Sequence, residues 1–572
     1  MALYVNSCFN HFKSQTVAAK AQLSQSLDHV KFDSLPTANK WNIVQQNHSI
    51  TWKNSFLLQD DLNIYHTEKL HGFKHMLVRN TSECSPQGIY MVDAMQRLNI
   101  DYHFKEEIEA FLQRQYLIFS TGWSGYSNDL HHTALCFRLF RQQGYHVPAE
   151  VFNKFTDKEG KFNQKLGGNM KGMIELYEAS QLSVRGENIL DEAGQFSEQI
   201  LKERLACLNN HEAEFVRRTL EHPFHKSLPM FTAKDFFGDL QGMNGRLGSI
   251  KDVAKLDFSL LQRLHQQEIS QISKWWTELG LANELKYARN QPLKWYIWSL
   301  ACLTDPALSE ERVELTKPIS FIYLIDDIFD VYGTLDELTL FTEVVARWDS
   351  IAAEQLPDYM KICFKALYNL TNEISCKIYQ KHGWDPIDSL RKMWESLCKA
   401  FLIEAEWFAS GNLPSAEEYL KNGIVSSGVH IVLVHIFFLS GQGLTKENVQ
   451  IIDGNPAIIS SSATILRLWD DLGNAEDENQ EGNDGSYVNC CLMEHQDLSL
   501  KRARDNVMSL ISDAWKSLNQ ECLFESTFPS AFTKASLNLA RMVPLMYSYD
   551  DKHSLPKLEE QVKSLLYDKI LI

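Results

Sequence analysis

Residues 321–341 read FIYLIDDIFDVYGTLDELTLF. The stretch opens as an apolar helical run and then sets three carboxylates, Asp326, Asp327 and Asp330, within five positions. Burying a carboxylate without a partner is costly and grouping like charges adds repulsion, so a helix that does both asks for a cation. At 3.6 residues per turn the three fall at roughly 0°, 100° and 40° about the axis, which puts them on one face. Gly333 follows within a turn, near where the helix should end. An oxygen-only cluster of this kind suits hard divalent ions, especially Mg²⁺ that also holds substrate phosphates.

A second polar stripe lies in ILRLWDDLGNAEDENQEGNDGSY, residues 465–487. With Arg467 at 0°, Asp470, Asp471, Asn474 and Glu478 fall at roughly −60°, +40°, −20° and +20°. Asp470, Asn474 and Glu478 offer oxygens in successive turns, a second candidate metal site, while Arg467 can meet a phosphate oxygen. Either string alone also occurs on solvated helix faces. Two of them, each attached to a strongly apolar run, read as the jaws of a metal-bridged diphosphate clamp.

The rest of the chain carries helical punctuation. FKEEIEAFLQRQYLIFS, NILDEAGQFSEQILKERLACL and FSLLQRLHQQEISQISKWWTELGL place apolar residues at i, i+3, i+4 and i+7. Alternating strand patterns with hairpin signals are scarce, so the fold class is all-α. A Gly-containing polar stretch, NGRLGSIKDVAKLDFSLL, marks a boundary. The expected organisation is an N-terminal segment over 1–55, a helical domain over 56–255 and a catalytic domain over 256–572.

The chain has 572 residues, 44% of them hydrophobic, enough for about two domains with sizeable cores. Its formal charge of −17 argues against nucleic acid or an anionic membrane as partner. No apolar run is read as a transmembrane span, and no membrane partner is expected. Eleven cysteines lack metal-like spacing and fit a reducing compartment. The first 27 residues hold two lysines, several Ser/Thr and no acid, and no arginine precedes Arg79. That composition is compatible with a plastid transit peptide. The reading leans to plastid, with cytoplasm the alternative, and a monomer is the default because no heptad seam stands out.

Taken together these motifs resemble those of plant terpene synthases. DDIFD at 326–330 is similar to the family's aspartate-rich motif, and RLWDDLGNAEDE to its second metal motif, although Asn474 stands where Ser or Thr is usual. The resemblance runs from HTEKLHGFKHML to MYSYDDKHSLPKLEEQVKSLL. It implies two helical domains, the C-terminal one enclosing an active-site cavity. It also implies three Mg²⁺ ions (or Mn²⁺) and a prenyl diphosphate ionised to an allylic cation. By the same resemblance Asp326, Asp327, Asp330, Asp470, Asn474 and Glu478 are metal ligands. Arg289, Arg467, Asp326 and Asp330 are substrate-binding.

YARNQPLKWYIW resembles the family's Arg-x-Arg segment, with Arg289 matching the first arginine and Gln291 replacing the second. Tyr296 and Trp298 match pocket aromatics whose faces stabilise a cation. EYLKNGIVSSGVHI resembles a broken helix in which Ser426, Ser427 and Gly428 free backbone carbonyls. Tyr547, Tyr549 and Asp550 lie where the closing loop begins, and MYSYDDKHSLP lacks the longer form found in several cyclases. An Asp-x-Asp-Asp motif is missing, so ionisation rather than protonation starts the reaction. Without Arg-Arg-x8-Trp, and with Gln291, the chain is similar to the subgroup making linalool and (E)-nerolidol. The alternative is a synthase of cyclic sesquiterpenes or of acyclic hydrocarbons such as ocimene or farnesene.

Overall fold

The computed structural model describes residues 66–75, 86–120, 129–239, 246–285, 288–474, 486–495, 497–524, 526–548 and 556–568. The expected N-terminal segment and Glu478, Tyr549, Asp550 and Asp551 lie outside the described residues, as does the side chain of Asn474.

Among the described residues the chain is helical throughout; the one β-type pairing is an isolated antiparallel bridge between Thr156 and Phe162. Helices of eight residues or more are numbered here. The first nine are α1 (66–75), α2 (Pro86–Arg97), α3 (Lys105–Ser120), α4 (Leu130–Gln142), α5 (Met170–Ser180), α6 (Asn188–Arg204), α7 (Asn210–Glu221), α8 (Pro229–Asp239) and α9 (Arg246–Leu279). Then follow α10 (Pro292–Cys302), α11 (Ser309–Asp327), α12 (Leu335–Arg347), α13 (Asp358–His382), α14 (Ile387–Ser410), α15 (Ala416–Ser426) and α16 (Val429–Ser440). The last are α17 (Lys446–Asp453), α18 (Ala457–Asn474), α19 (Tyr487–Glu494), α20 (Leu500–Leu523), α21 (Ser530–Met546) and α22 (Pro556–Leu566).

Two compact units emerge, and neither is one continuous piece of chain. Of the described residues, one consists of Gln266–Ala514 with Thr527–Glu560; the other consists of those up to His265, Trp515–Ser526 and those from Gln561 on. The division therefore falls inside α9. In the N-terminal unit, Asn519 of α20 donates to Gln181 O (3.0 Å) and Ser183 O (2.9 Å) and pairs with His225 (2.8 Å). Lys234 and Gln262 reach Ser564 O and Leu565 O near the C-terminus. These backbone carbonyls, at helix ends or between helices and at least partly buried, need such donors.

In the catalytic unit, α11 begins with Glu310 and Glu311, acids that favour a helix N-terminus. It buries Arg312 completely. Arg312 grips Glu268 with two bonds, Nη2 to Oε1 at 2.6 Å and Nε to Oε2 at 3.0 Å. Tyr296 of α10 adds a third at 2.5 Å. Three successive helices are thus tied by one fully bonded charge pair, and this orients α11 for the aspartates at its end.

α12 and α15 each start with a capping box, Thr334 with Glu337 and Ser415 with Glu418, in which two end groups satisfy each other. Ala416–Ser440 is long and apolar enough to cross a membrane, a stretch the sequence reading passed over. In the fold it is two helices separated at Ser427–Gly428, and 78% of its apolar window is buried inside the protein. The nine described cysteines are free thiols.

Candidate active site

The site is built where α11 ends. Arg289 precedes α10 and reaches across to it. Its backbone N–H donates to Asp327 Oδ2 (2.7 Å), its Nε to Asp327 Oδ1 (2.6 Å), and its Nη2 to Asp326 and to Tyr323 O (3.3 Å). The guanidinium also lies over the Tyr323 ring, 4.9 Å from its centre.

The three aspartates are consequently unlike one another. Asp327 is 4% exposed and turned into the protein, Asp326 is half-buried and Asp330 is exposed. The single shared face expected from ideal helix geometry is corrected at Asp330, whereas Asp326 and Asp327 both pair with Arg289. The chain leaves α-geometry for a π-turn over Ile328–Tyr332, which changes the register on which Asp330 was placed. Burial pushes the Asp327 carboxyl up to about 6, with Arg289 opposing and Asp326 adding repulsion.

The second stripe lies on α18. Arg467 bonds the hydroxyl of Tyr419, stands 3.1 Å from Asp471 Oδ1 and comes within 4.0 Å of Glu404. Asp471 is 2% exposed and accepts from Tyr419 OH (2.9 Å) and the Tyr487 backbone N–H (3.0 Å). It therefore holds Arg467 and the start of α19. Asp470, its neighbour, is half-buried. Burial pushes its carboxyl up to about 7; Arg467 opposes, and Asp471 and Asp326 add repulsion. The charge of Asp326 on the first stripe is thus felt at Asp470 on the second. Acids held this far above their usual range, with oxygen the sole donor type, fit a hard divalent cation such as Mg²⁺.

Trp298 donates from Nε1 to Tyr323 OH (2.9 Å), and its ring lies 6.4 Å from that of Tyr547. Arg289, Tyr323, Trp298 and Tyr547 thus form one chain of contacts. Tyr296 does not join it. Two residues before Trp298 it projects about 200° away around α10, where its hydroxyl serves Glu268. The expectation of a cation-facing Tyr296 is corrected by that bond.

The helix break is present. Ser427 caps α15, and Gly428 has φ +69°, a conformation glycine adopts without penalty. A Cβ on Gly428 would stand 2.8 Å from Ile322 of α11, so the position also demands close approach. Ser426 donates to Glu404 (2.7 Å), whose carboxyl is raised chiefly by burial.

The sequence reading did not single out Tyr419, Glu404, Tyr323, Lys294 or Gly423. Gly423 leaves room for Arg467, whose Cγ would lie 2.9 Å from an added Cβ. Lys294 stands four residues before Trp298, on the same helical face. Among the described residues it makes no ion pair. Burial pushes its ammonium down to about 8, Arg289 adding to the effect and Asp470 opposing it. Its register relative to Trp298 was a usable signal. Tyr419 and Glu404 come from other helices, and nothing in their local strings marks them.

Comparison with known proteins decides the family. The model for "Terpene synthase, N-terminal domain" matches residues 42–222, and that for "Terpene synthase family, metal binding domain" matches residues 277–517. The chain belongs to the terpene synthase family. The metal-binding domain of this terpene synthase contains Arg289 and both acidic stripes.

Among its relatives are probable terpene synthase 13 of Ricinus communis, 54% identical over the whole of both chains, and an (E)-nerolidol synthase of Cannabis sativa, 54% identical over 84% of this chain and 88% of that one. The chloroplastic S-(+)-linalool synthase of Arabidopsis thaliana is 48% identical over 93% and 94%. Chloroplastic tricyclene synthases of Antirrhinum majus, at 46% and 47% identity, also match. Isoprene synthase from grey poplar, solved with three Mg²⁺ ions and dimethylallyl-S-thiolodiphosphate, superposes with a TM-score of 0.82 at 35% identity, covering 90% of this chain and 98% of that one. This terpene synthase is a lyase acting on prenyl diphosphates, small-molecule substrates, with a divalent metal cofactor.

Proposed function

We propose that this terpene synthase ionises geranyl or farnesyl diphosphate and lets water capture the cation, giving linalool and (E)-nerolidol. The observation that carries the reading is the likeness, over 84% and 93% of the chain, to an (E)-nerolidol synthase and a linalool synthase. Gln291, uncharged where a second arginine would retain released diphosphate, is consistent with a cation quenched before it cyclises.

In this mechanism Asp326, Asp327 and Asp330 on one side, and Asp470, Asn474 and Glu478 on the other, would hold three Mg²⁺ ions, with Mn²⁺ an alternative. Bound there, the ions supply the positive charge that makes diphosphate a leaving group. Arg289 and Arg467 meet its oxygens, Arg289 exchanging aspartate for phosphate. The C–O bond breaks with its electron pair on the diphosphate. Trp298 and Tyr547 offer ring faces to the allylic cation, and the carbonyls freed beside Gly428 add negative potential. A water oxygen then bonds the tertiary carbon and loses a proton. The protein acts as a monomer in the plastid, with the cytoplasm as the alternative.

Purified full-length protein given Mg²⁺ and, separately, each diphosphate tests this. Linalool and (E)-nerolidol, both abolished by chelator and by Asp327→Ala, are expected. The tricyclene synthases among the relatives favour a second reading, a cyclising enzyme, and predominantly cyclic products would replace the first reading with it.

A further inference from the structure

Far from the acidic stripes in sequence, three potential ligands converge in the N-terminal unit. His66 lies on α1, His103 lies in the short helical turn Asp101–Phe104 and Asp257 lies on α9. One ligand atom from each lies within 4.8 Å of the other two. His103 Nε2 is 2.8 Å from Asp257 Oδ1 and His66 Nε2 is 3.4 Å from it. Tyr102 donates its hydroxyl to both oxygens of Asp257 at 2.7 Å.

Two features are unexplained by a purely structural knot. Asp257 is 3% exposed, and among the described residues no lysine or arginine compensates it. A buried carboxylate without a cation is expensive. His66 is 6% exposed, and its Nε2, aimed at the same carboxylate, makes no hydrogen bond. Burial, as the largest influence, lowers the basicity of His66, with Asp257 opposing and His103 reinforcing the shift.

We propose that His66, His103 and Asp257 form a site for a borderline divalent transition-metal ion, zinc in preference to magnesium. Two imidazoles and one carboxylate are a ligand set that such ions favour and that Mg²⁺ does not. Tetrahedral coordination with bonds of about 2.0 Å needs ligand atoms roughly 3.3 Å apart. The His66–Asp257 separation already matches, and the His103–Asp257 contact must open by about half an ångström. Tyr102 fixes the orientation of the carboxylate through both its oxygens, as outer-shell donors do in built metal sites. The ion neutralises Asp257, takes the idle His66 nitrogen and fastens α1 to α9.

The test uses full-length protein stripped with chelator, then dialysed against micromolar zinc with Mg²⁺ and inorganic diphosphate present to occupy the acidic stripes. Wild type is expected to retain one zinc more per chain than His66→Gln and Asp257→Asn. Zinc-edge X-ray absorption of the loaded wild type, which does not depend on the variants folding, is expected to show two imidazole ligands. Equal retention by all three proteins, no retained zinc, or an oxygen-only shell overturns the proposal.

Discussion

Arg289 clasps Asp327 twice, through its backbone N–H at 2.7 Å and its Nε at 2.6 Å. The same guanidinium also pairs with Asp326. A fixed cation thus sits on the aspartate-rich motif before any metal or substrate arrives. For Arg289→Met we expect a fall of at least about a hundredfold in kcat/KM, since transition-state contact with the leaving group and the ordering of Asp327 go together. Arg289→Lys restores only part of it, because an ammonium cannot reproduce the forked contact. Steady-state kinetics with geranyl diphosphate read both.

Proton competition should be visible in metal binding. Asp327 and Asp470 are pushed up to about 6 and about 7, so the folded, ion-free protein holds their protons more tightly than the unfolded chain does. The sign follows: ion-free stability declines as pH climbs from about 4 to about 7, where the unfolded carboxylates are already ionised. Mg²⁺ must displace these protons, so its affinity should drop about tenfold per pH unit below 7 for each one released. Calorimetric titration in two buffers of different ionisation enthalpy counts them.

Lys294 is a cation without an ion-pair partner among the described residues, beside Arg289 and Asp470. Lys294→Met should raise KM for the diphosphate substrate about tenfold with a smaller change in kcat, and Lys294→Arg should hold KM near wild type. Equal losses in both variants would assign the residue to packing instead.

Gly423→Ala forces a Cβ to 2.9 Å from Arg467 Cγ. The expected result is a displaced arginine, with inhibition by inorganic diphosphate weakened at least severalfold and the thermal midpoint little changed. Gly428→Ala differs: φ +69° and the contact with Ile322 should together cost about 1–3 kcal/mol of stability, read by denaturant unfolding.

Removing one partner of the fully buried Glu268–Arg312 pair strands the other charge. Arg312→Met should destabilise by about 3–5 kcal/mol, whereas Tyr296→Phe, which deletes a single bond to Glu268, should cost about 1–2 kcal/mol. A Tyr296→Phe enzyme that keeps its product profile would match the orientation of that ring away from Trp298.

Much of the architecture was legible because helix periodicity is a local signal: the apolar spacing of 258–281 falls in a helix as far as Leu279, and the run before Asp326 lies in another. The carboxylate stripes were legible because grouped like charges beside apolar residues are chemically improbable without purpose. What escaped the sequence was whatever depends on neighbours from other helices. Tyr296 and Trp298 look alike in a string, and only the partners Glu268 and Tyr323 separate them. The π-turn after Asp327 likewise has no signature in the composition of IFDVY. Tyr419 and Glu404 acquire meaning only once Arg467 reaches them.

The division of the chain into interleaved pieces has a consequence for its birth on the ribosome. His225 and Asn519 pair in a buried contact although 294 residues separate them. At a synthesis rate of about 5–20 residues per second, roughly 15–60 s pass between the emergence of one and of the other. Lys234 waits longer still for the carbonyl of Ser564. The first half of the chain cannot complete its own unit while it is being made. It must stand partly open, its apolar helix faces available to chaperones, until the last turn of helix arrives.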